Sequence, residues 1–330
     1  MGVGIGQGKR GIGAVLLAGA LLVGATACGG NSAADASGAS DGKGKPADSA
    51  SAKPSPSKPA APAMLLDTIT PRGGTVGVAQ PVSVVFSNPV AQSARADVEK
   101  HLKVTTSQPV TGAWHWFSDT RVDFRPQDYW PSGTKVGVDA QMTGVKNGNG
   151  RVGVHDYRHS FTVGDDVEAK VSVPDHTMTV TKNGAKVRTL SIDAGSPQWP
   201  SWDGTMAVID KAKEVHMTSC SVGISCTKGA PDYYDETLPW DVHLTTSGTY
   251  IHYSDGDPYP GHSYGSHGCV HLSMADAKWF YNYVKPGDPV TITGSPRGKA
   301  PGDNGYADYN LSWSDWLKSS ASGTVTTATA

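Results

Sequence analysis

Between Leu65 and Val163 apolar residues recur at short, nearly alternating spacing. Val82–Phe86, His101–Val104, Arg121–Phe124 and Lys135–Val138 each carry such a run. A period of two sends alternate side chains to one face, so each run predicts a strand. Gly73-Gly74, Asn88-Pro89, Asn147-Gly148 and Asn149-Gly150 separate the runs and supply turns. Short strands so closely spaced predict an all-β sandwich of about 100 residues. Trp114, Trp116, Phe124 and Trp130 are expected to fill its core and rim, with a sugar-binding aromatic platform as the alternative.

From Val167 to Gly294 a second strand-rich pattern follows. Val171–Val173, Thr177–Val180 and Lys186–Ile192 alternate, and Asn183-Gly184 is placed for a two-residue hairpin turn. Met206–Ile209 and Thr249–His252 extend the set. One helix stands out. Ser273 is placed to cap it, with Asp276 three residues on. Ala277, Phe280, Tyr281 and Val284 recur at helical spacing, and Pro286-Gly287 ends the run. That stripe reads as core packing. Farther on, Trp313 and Trp316 predict a short helix that docks an aromatic face. The fold class is therefore mainly β: a sandwich over 64–165, a β-rich domain with one main helix over 166–295, and an extension over 296–330 ending in a disordered tail.

The N-terminal pattern differs. Lys9 and Arg10 precede the apolar stretch Ile12–Ala27, which is too short and Gly-rich for a membrane span and has the form of a secretory signal over 1–27. Ala25-Thr26-Ala27-Cys28 resembles the bacterial lipobox. That resemblance implies lipid on Cys28 and anchorage to the outer face of the cell membrane; ordinary signal cleavage with an incidental Cys28 is the alternative. Residues 28–63 are rich in Ala, Ser, Gly, Pro and Lys and contain no aromatic residue, so they are expected to form a disordered tether. The net charge of -2 provides no electrostatic footprint for nucleic acid. The 40 glycines and the absence of a heptad run exclude a coiled coil.

Cysteine use agrees with export. Cys220 and Cys226 flank a short loop and are expected to pair in an oxidising compartment, leaving Cys269 alone. It lies in Gly265-Ser266-His267-Gly268-Cys269-Val270-His271, seventeen positions after His252. A thiol becomes a nucleophile when an imidazole takes its proton or stabilises its thiolate. Gly268 lets the backbone turn close to a substrate carbonyl, and N–H groups there are candidates for an oxyanion hole. Three plainer readings compete. Cys269 could be a buried apolar residue, but its neighbours are Gly, Ser and His. His267, Cys269 and His271 could join His252 or His262 around zinc, but the spacing matches no common zinc site. A disulfide at Cys269 competes with the pairing of Cys220 and Cys226. No metal or cofactor is expected.

His252 followed by Ser266-His267-Gly268-Cys269 resembles the signature of L,D-transpeptidases with the YkuD catalytic domain. Ser247–His252 resembles the family's strand into its histidine, and Ala277–Tyr281 and Gly287–Val290 resemble the helix and last strand after its cysteine. Val122–Pro126 and Tyr129–Gly133 resemble the immunoglobulin-like domain that precedes the catalytic domain in actinobacterial members, and the Trp313/Trp316 segment resembles their C-terminal extension. The resemblance implies acyl transfer on peptidoglycan stem peptides. The Cys269 thiolate attacks a donor tetrapeptide, D-Ala leaves, and a second stem resolves the thioester as a 3→3 cross-link. It implies His252 as base and acid, the Tyr253 carbonyl as its orienter, His267, Gly268 and Cys269 as oxyanion surface, and Ser266 as a shaper of the loop. Met217, Tyr234, Trp240, Ser247, Gly248, Tyr253 and His271 are the implied substrate-binding residues. It also implies covalent acylation by carbapenems. His271 stands where the family often has Asn or Arg, so an arginine-type carboxylate clamp is absent at that position. An L,D-carboxypeptidase using the same site, a non-catalytic wall-binding lipoprotein and a metal-binding lipoprotein are the alternatives.

Overall fold

The computed structural model describes residues 61–329. The signal, Cys28 and the tether up to residue 60 lie outside the described residues. Ala63, expected at the tether's end, instead begins a short parallel pairing with Val152. Among the described residues no helix is long and apolar enough to cross a membrane.

The first domain is a sandwich of two five-stranded sheets. One sheet runs in the order Leu66–Thr70, Val82–Phe86, Arg121–Pro126, Thr111–Trp116 and Val325–Thr326. The other runs Ala328–Thr329, Leu102–Thr106, Lys135–Ala140, Tyr157–Val163 and Thr75–Val76. Trp114, Trp116, Phe124 and Trp130 are all buried in one continuous core, so none of these rings forms a sugar platform on the surface. His101, expected at the start of a strand, ends the helix Arg95–His101. Asp97 in its first turn and Lys100 and His101 in its last complement the helix dipole.

The second domain has its own core, from Val167 to Ala307. A five-stranded sheet is ordered Ala185–Ser191, Thr177–Lys182, Val167–Ser172, Pro289–Thr293 and Gly204–Ala207. Asn183 and Gly184 both take positive φ, as a hairpin turn of this length requires. A four-stranded sheet runs Asp210–Thr218, Asp235–His243, Tyr250–Tyr253 and Val270–Leu272. The helix Met274–Tyr283 begins as its sequence requires, with Ser273 Oγ accepting from the Asp276 N–H at 3.2 Å. It buries Ala277 and Phe280 in the domain's core.

The extension returns to the sandwich. Trp316 Nε1 donates to the Ala113 carbonyl at 3.0 Å, His115 Nδ1 donates to the Trp316 carbonyl at 2.7 Å, and the Arg125 guanidinium lies 4.6 Å over the Trp316 ring. The expected disordered tail is a correction. Val325–Thr326 adds to one sheet of the sandwich and Ala328–Thr329 to the other, because both edges still had free backbone groups to satisfy. Arg121 completes the junction. It grips Asp123 at 2.6 Å and donates to the carbonyls of Asp303 at 3.0 Å and Gly305 at 2.8 Å.

Candidate active site

The strands Tyr250–Tyr253 and Val270–Leu272 are parallel neighbours, with His252 opposite His271 and Ile251 opposite Val270. Cys269 enters the second strand. This register brings the histidine and the cysteine, seventeen positions apart in sequence, to the same wall of a cavity of about 560 Å³. His252 is buried at 2% exposure, and its Nδ1 lies 2.8 Å from the Tyr253 carbonyl. A carbonyl only accepts, so Nδ1 carries the hydrogen and the Nε2 lone pair is left for chemistry. Burial lowers the imidazole to about 3, with His271 adding to the fall and the Tyr253 carbonyl opposing it.

Cys269 is a free, half-buried thiol. Its hydrogen-bond acceptor is the Gly248 carbonyl, 3.6 Å from Sγ. Burial pushes the thiol up to about 12, the Tyr250 backbone opposes the rise, and Asp241 adds to it. Both shifts favour the uncharged forms, a thiol and a neutral imidazole. Of the two arrangements the spacing allows, burial with no counter-charge favours the one in which the imidazole takes the proton of a neutral thiol.

The turn before Cys269 is held by Ser266. Its Oγ donates to the Cys269 carbonyl at 2.6 Å and accepts from the Gly268 N–H at 3.1 Å. Gly268 has φ +117, a conformation in which a side chain would be strained even though the surrounding space is open. The Gly268 N–H is therefore engaged within the turn and does not face a substrate. The N–H groups of His267 and Cys269 form no hydrogen bond with the described residues. His267 turns toward Asp232, with 3.8 Å between Nε2 and Oδ1, while His271 Nδ1 lies 3.0 Å from the Asp257 carboxylate. Among the described residues no cluster of three or more His, Cys, Asp and Glu side chains is gathered for a metal ion.

Comparison with known proteins places this geometry. Residues 166–292 match the L,D-transpeptidase catalytic domain (YkuD), and residues 34–146 match a bacterial Ig domain (Big_10). L,D-transpeptidase 1 of Mycobacterium tuberculosis (strain ATCC 25618 / H37Rv) is 33% identical over 226 residues, covering 67% of this chain and 82% of that protein. The chain belongs to the L,D-transpeptidase family. L,D-transpeptidase 2 of Mycobacterium tuberculosis (strain CDC 1551 / Oshkosh) is 33% identical over 252 residues, or 76% of this chain, which spans only 60% of that relative's length. A solved LD transpeptidase in complex with imipenem superposes with a TM-score of 0.59 at 31% identity, over 71% of this chain and all of that one.

In this L,D-transpeptidase the expected cleft is assembled in part. Met217, Tyr234, Ser247, Gly248 and His271 line the cavity with Cys269, His252, Ser266 and His267. Two expected cleft residues do not. Trp240, whose φ is +63, packs its ring edge-on against Tyr281 under the Lys278 ammonium. Tyr253 packs against the core and contributes only its carbonyl.

The hairpin of Asp210–Thr218 and Asp235–His243 forms the outer arm of the site. A disulfide joins Cys220 to Cys226 near its tip. It carries Val222 onto Gly248, where a side-chain carbon would stand only 2.6 Å from Val222 Cγ1. Sequence reasoning missed four contributors: Val222, Trp199, Arg297 and the buried Asp193. Asp193 accepts from the N–H groups of Gly261, His262 and Ser263 at 3.1, 2.9 and 2.7 Å, which fixes the loop opposite the hairpin. Its burial opposes ionisation, but these N–H groups outweigh it and hold the carboxyl below its usual range. The N–H groups it accepts lie about seventy positions away, so no local pattern marks it.

Proposed function

We propose that the chain is a peptidoglycan L,D-transpeptidase that forms 3→3 cross-links through a thioester on Cys269. The observation that carries this reading is the convergence of a free thiol and the Nε2 face of a tautomer-fixed histidine on one cavity. A donor tetrapeptide places the carbonyl between diaminopimelate and D-Ala against Sγ. His252 Nε2 takes the thiol proton as the S–C bond forms, then passes it to the nitrogen of D-Ala as the C–N bond breaks. The side-chain amine of a second stem attacks the thioester. A new C–N bond forms, the C–S bond breaks, and the proton from the amine returns to sulfur through His252.

The N–H groups of His267 and Cys269 receive the oxyanion, and the Ser266–Gly268 bond holds them in place. Water in place of the second amine makes the same site a carboxypeptidase. The imipenem complex of a relative supports a carbapenem as a covalent mimic of the donor. The N-terminal pattern and the Cys220–Cys226 disulfide support export, with lipid on Cys28 holding the enzyme at the outer membrane face.

Intact-mass spectrometry with a tetrapeptide donor, alone and with an acceptor stem, tests this reading. Wild type is expected to release D-Ala and yield a dimer, while Cys269→Ala falls by at least about a thousandfold with the same melting temperature. Tripeptide without dimer would make it a carboxypeptidase. No release of D-Ala by wild type would defeat both.

A further inference from the structure

Among the cavity-lining residues, Arg297 is the one lysine or arginine. It follows the strand Pro289–Thr293 and reaches back to the catalytic turn. Its Nη1 would lie 3.6 Å from a side-chain carbon on Gly268 and donates to the Pro200 carbonyl at 3.3 Å. The guanidinium lies 3.8 Å over the ring of Trp202. That ring is itself anchored, because Trp202 Nε1 donates to Ser247 Oγ at 3.0 Å and Asn304 Nδ2 donates to the same oxygen at 2.9 Å. The side chain is thus preorganised at the cavity rim.

It is also unmatched. No carboxylate among the described residues lies within salt-bridge distance of it, whereas Arg121, Arg158 and Arg188 each grip an acid. Of its five N–H donors, one is used. Partial burial lowers its pKa, yet a guanidinium remains charged throughout the working range of an enzyme. The acids of the cavity repel an incoming carboxylate from the other walls: Glu236 lies on the hairpin, and Asp257 is tied to His271. That tie also occupies His271, the residue at the position where an arginine clamp would otherwise stand.

We propose that Arg297 is the carboxylate-binding residue of this site and selects donor stems that carry a free carboxylate. The proposal rests on the transpeptidase reading and adds a specificity determinant to it. Two carboxylates of a stem fit this chemistry, that of the terminal D-Ala and that on the side chain of diaminopimelate. A planar fork of donors recognises either one bidentately.

The test compares three tetrapeptide donors, with both carboxylates free, with the terminal one amidated, and with the diaminopimelate one amidated. Each is followed by thioester formation on the wild type, Arg297→Gln and Arg297→Lys. The wild type is expected to prefer the free acid over one of the two amides by about tenfold or more in kcat/KM, and that amide identifies the carboxylate bound. Arg297→Gln is expected to lose about ten- to a hundredfold on the free acid, mainly in KM, and to bring the acid-to-amide ratio near one. Arg297→Lys should keep part of the preference, since it retains the charge without the fork. Discrimination that survives Arg297→Gln, or a wild type that treats all three donors alike, overturns the proposal alone. A wild type that forms no thioester with any donor overturns the functional reading beneath it.

Discussion

The sandwich and the active site both bury ionisable groups, and two carboxylates of the sandwich are treated in the opposite way to the His252 and Cys269 pair. In the sandwich, fully buried Asp123 accepts from Ser83 Oγ at 2.6 Å and from Arg121 at 2.6 and 3.1 Å. Glu99, also buried, accepts from Trp116 Nε1 at 2.8 Å and from the N–H groups of Ala321 and Ser322 at 2.9 and 2.7 Å. At the site, His252 meets the Tyr253 carbonyl and Cys269 meets the Gly248 carbonyl and the Tyr250 backbone, with no opposite charge at either. Beside them, fully buried Asp241 is pushed up to about 7 by burial. Asp123 and Glu99 are thus each matched by several donors. Where chemistry is to occur, burial without an opposite charge favours the uncharged form of each group.

Three measurements press on that contrast. The largest effect is expected from Asp123→Ala, which strands Arg121 in the interior. Breaking a buried pair costs about 3 kcal/mol, more than about a hundredfold in the folding equilibrium, and urea unfolding reads it. Activity per folded molecule should hold, and a melt equal to wild type would show that the pair does not support the fold. Next is the paired change Cys220→Ser and Cys226→Ser. Closing so short a loop contributes about 2 kcal/mol, and its loss should be read as faster proteolysis within the hairpin, with the sandwich intact. Protection equal to wild type would mean that packing alone holds the arm.

The smallest effect per step is the pH dependence of alkylation. With the thiol near 12, the rate with iodoacetamide should climb about tenfold per pH unit from about pH 6 to pH 10 without a plateau. A plateau at neutral pH would reveal an imidazolium–thiolate pair. The same shifts set the sign of the stability profile. A raised thiol pKa is lost stability as pH rises from 9.0 toward about 12, because the unfolded chain releases a proton that the folded one keeps. A lowered imidazole pKa is lost stability as pH falls from 6.5 toward about 3.

Much of the fold was legible because its signals are local. Alternation marked the sandwich strands, Asn183-Gly184 marked a hairpin, and Ser273 with Asp276 marked the main helix. The His252 and Cys269 spacing marked the site. What was missed depends on distant partners. The hairpin arm from Asp210 to His243 is largely wet along Asp210–Thr218, so no alternation betrays it. The helix Arg95–His101 is too short for its period to register. Trp240 packs against Tyr281 of the main helix, a partner forty-one positions away that its neighbours do not announce. Arg297 and Asp193 act through contacts that sequence neighbours do not announce. The protonation of the catalytic pair was illegible for a related reason, since spacing shows which groups meet but not how deeply they are enclosed.

The two short strands at the chain's end have a consequence in time. Val110 and Thr106 find Thr327 only across 217 and 221 positions. Closing so long a loop adds little free energy at equilibrium, because the entropic term grows only with the logarithm of length. During folding, however, one margin of each sandwich sheet stays unpaired until the segment 325–329 docks on it. The enzyme domain can mature while those raw margins are still open to mispairing with a neighbouring chain. The segment 325–329 thus acts as a latch that closes a margin of both sheets at once.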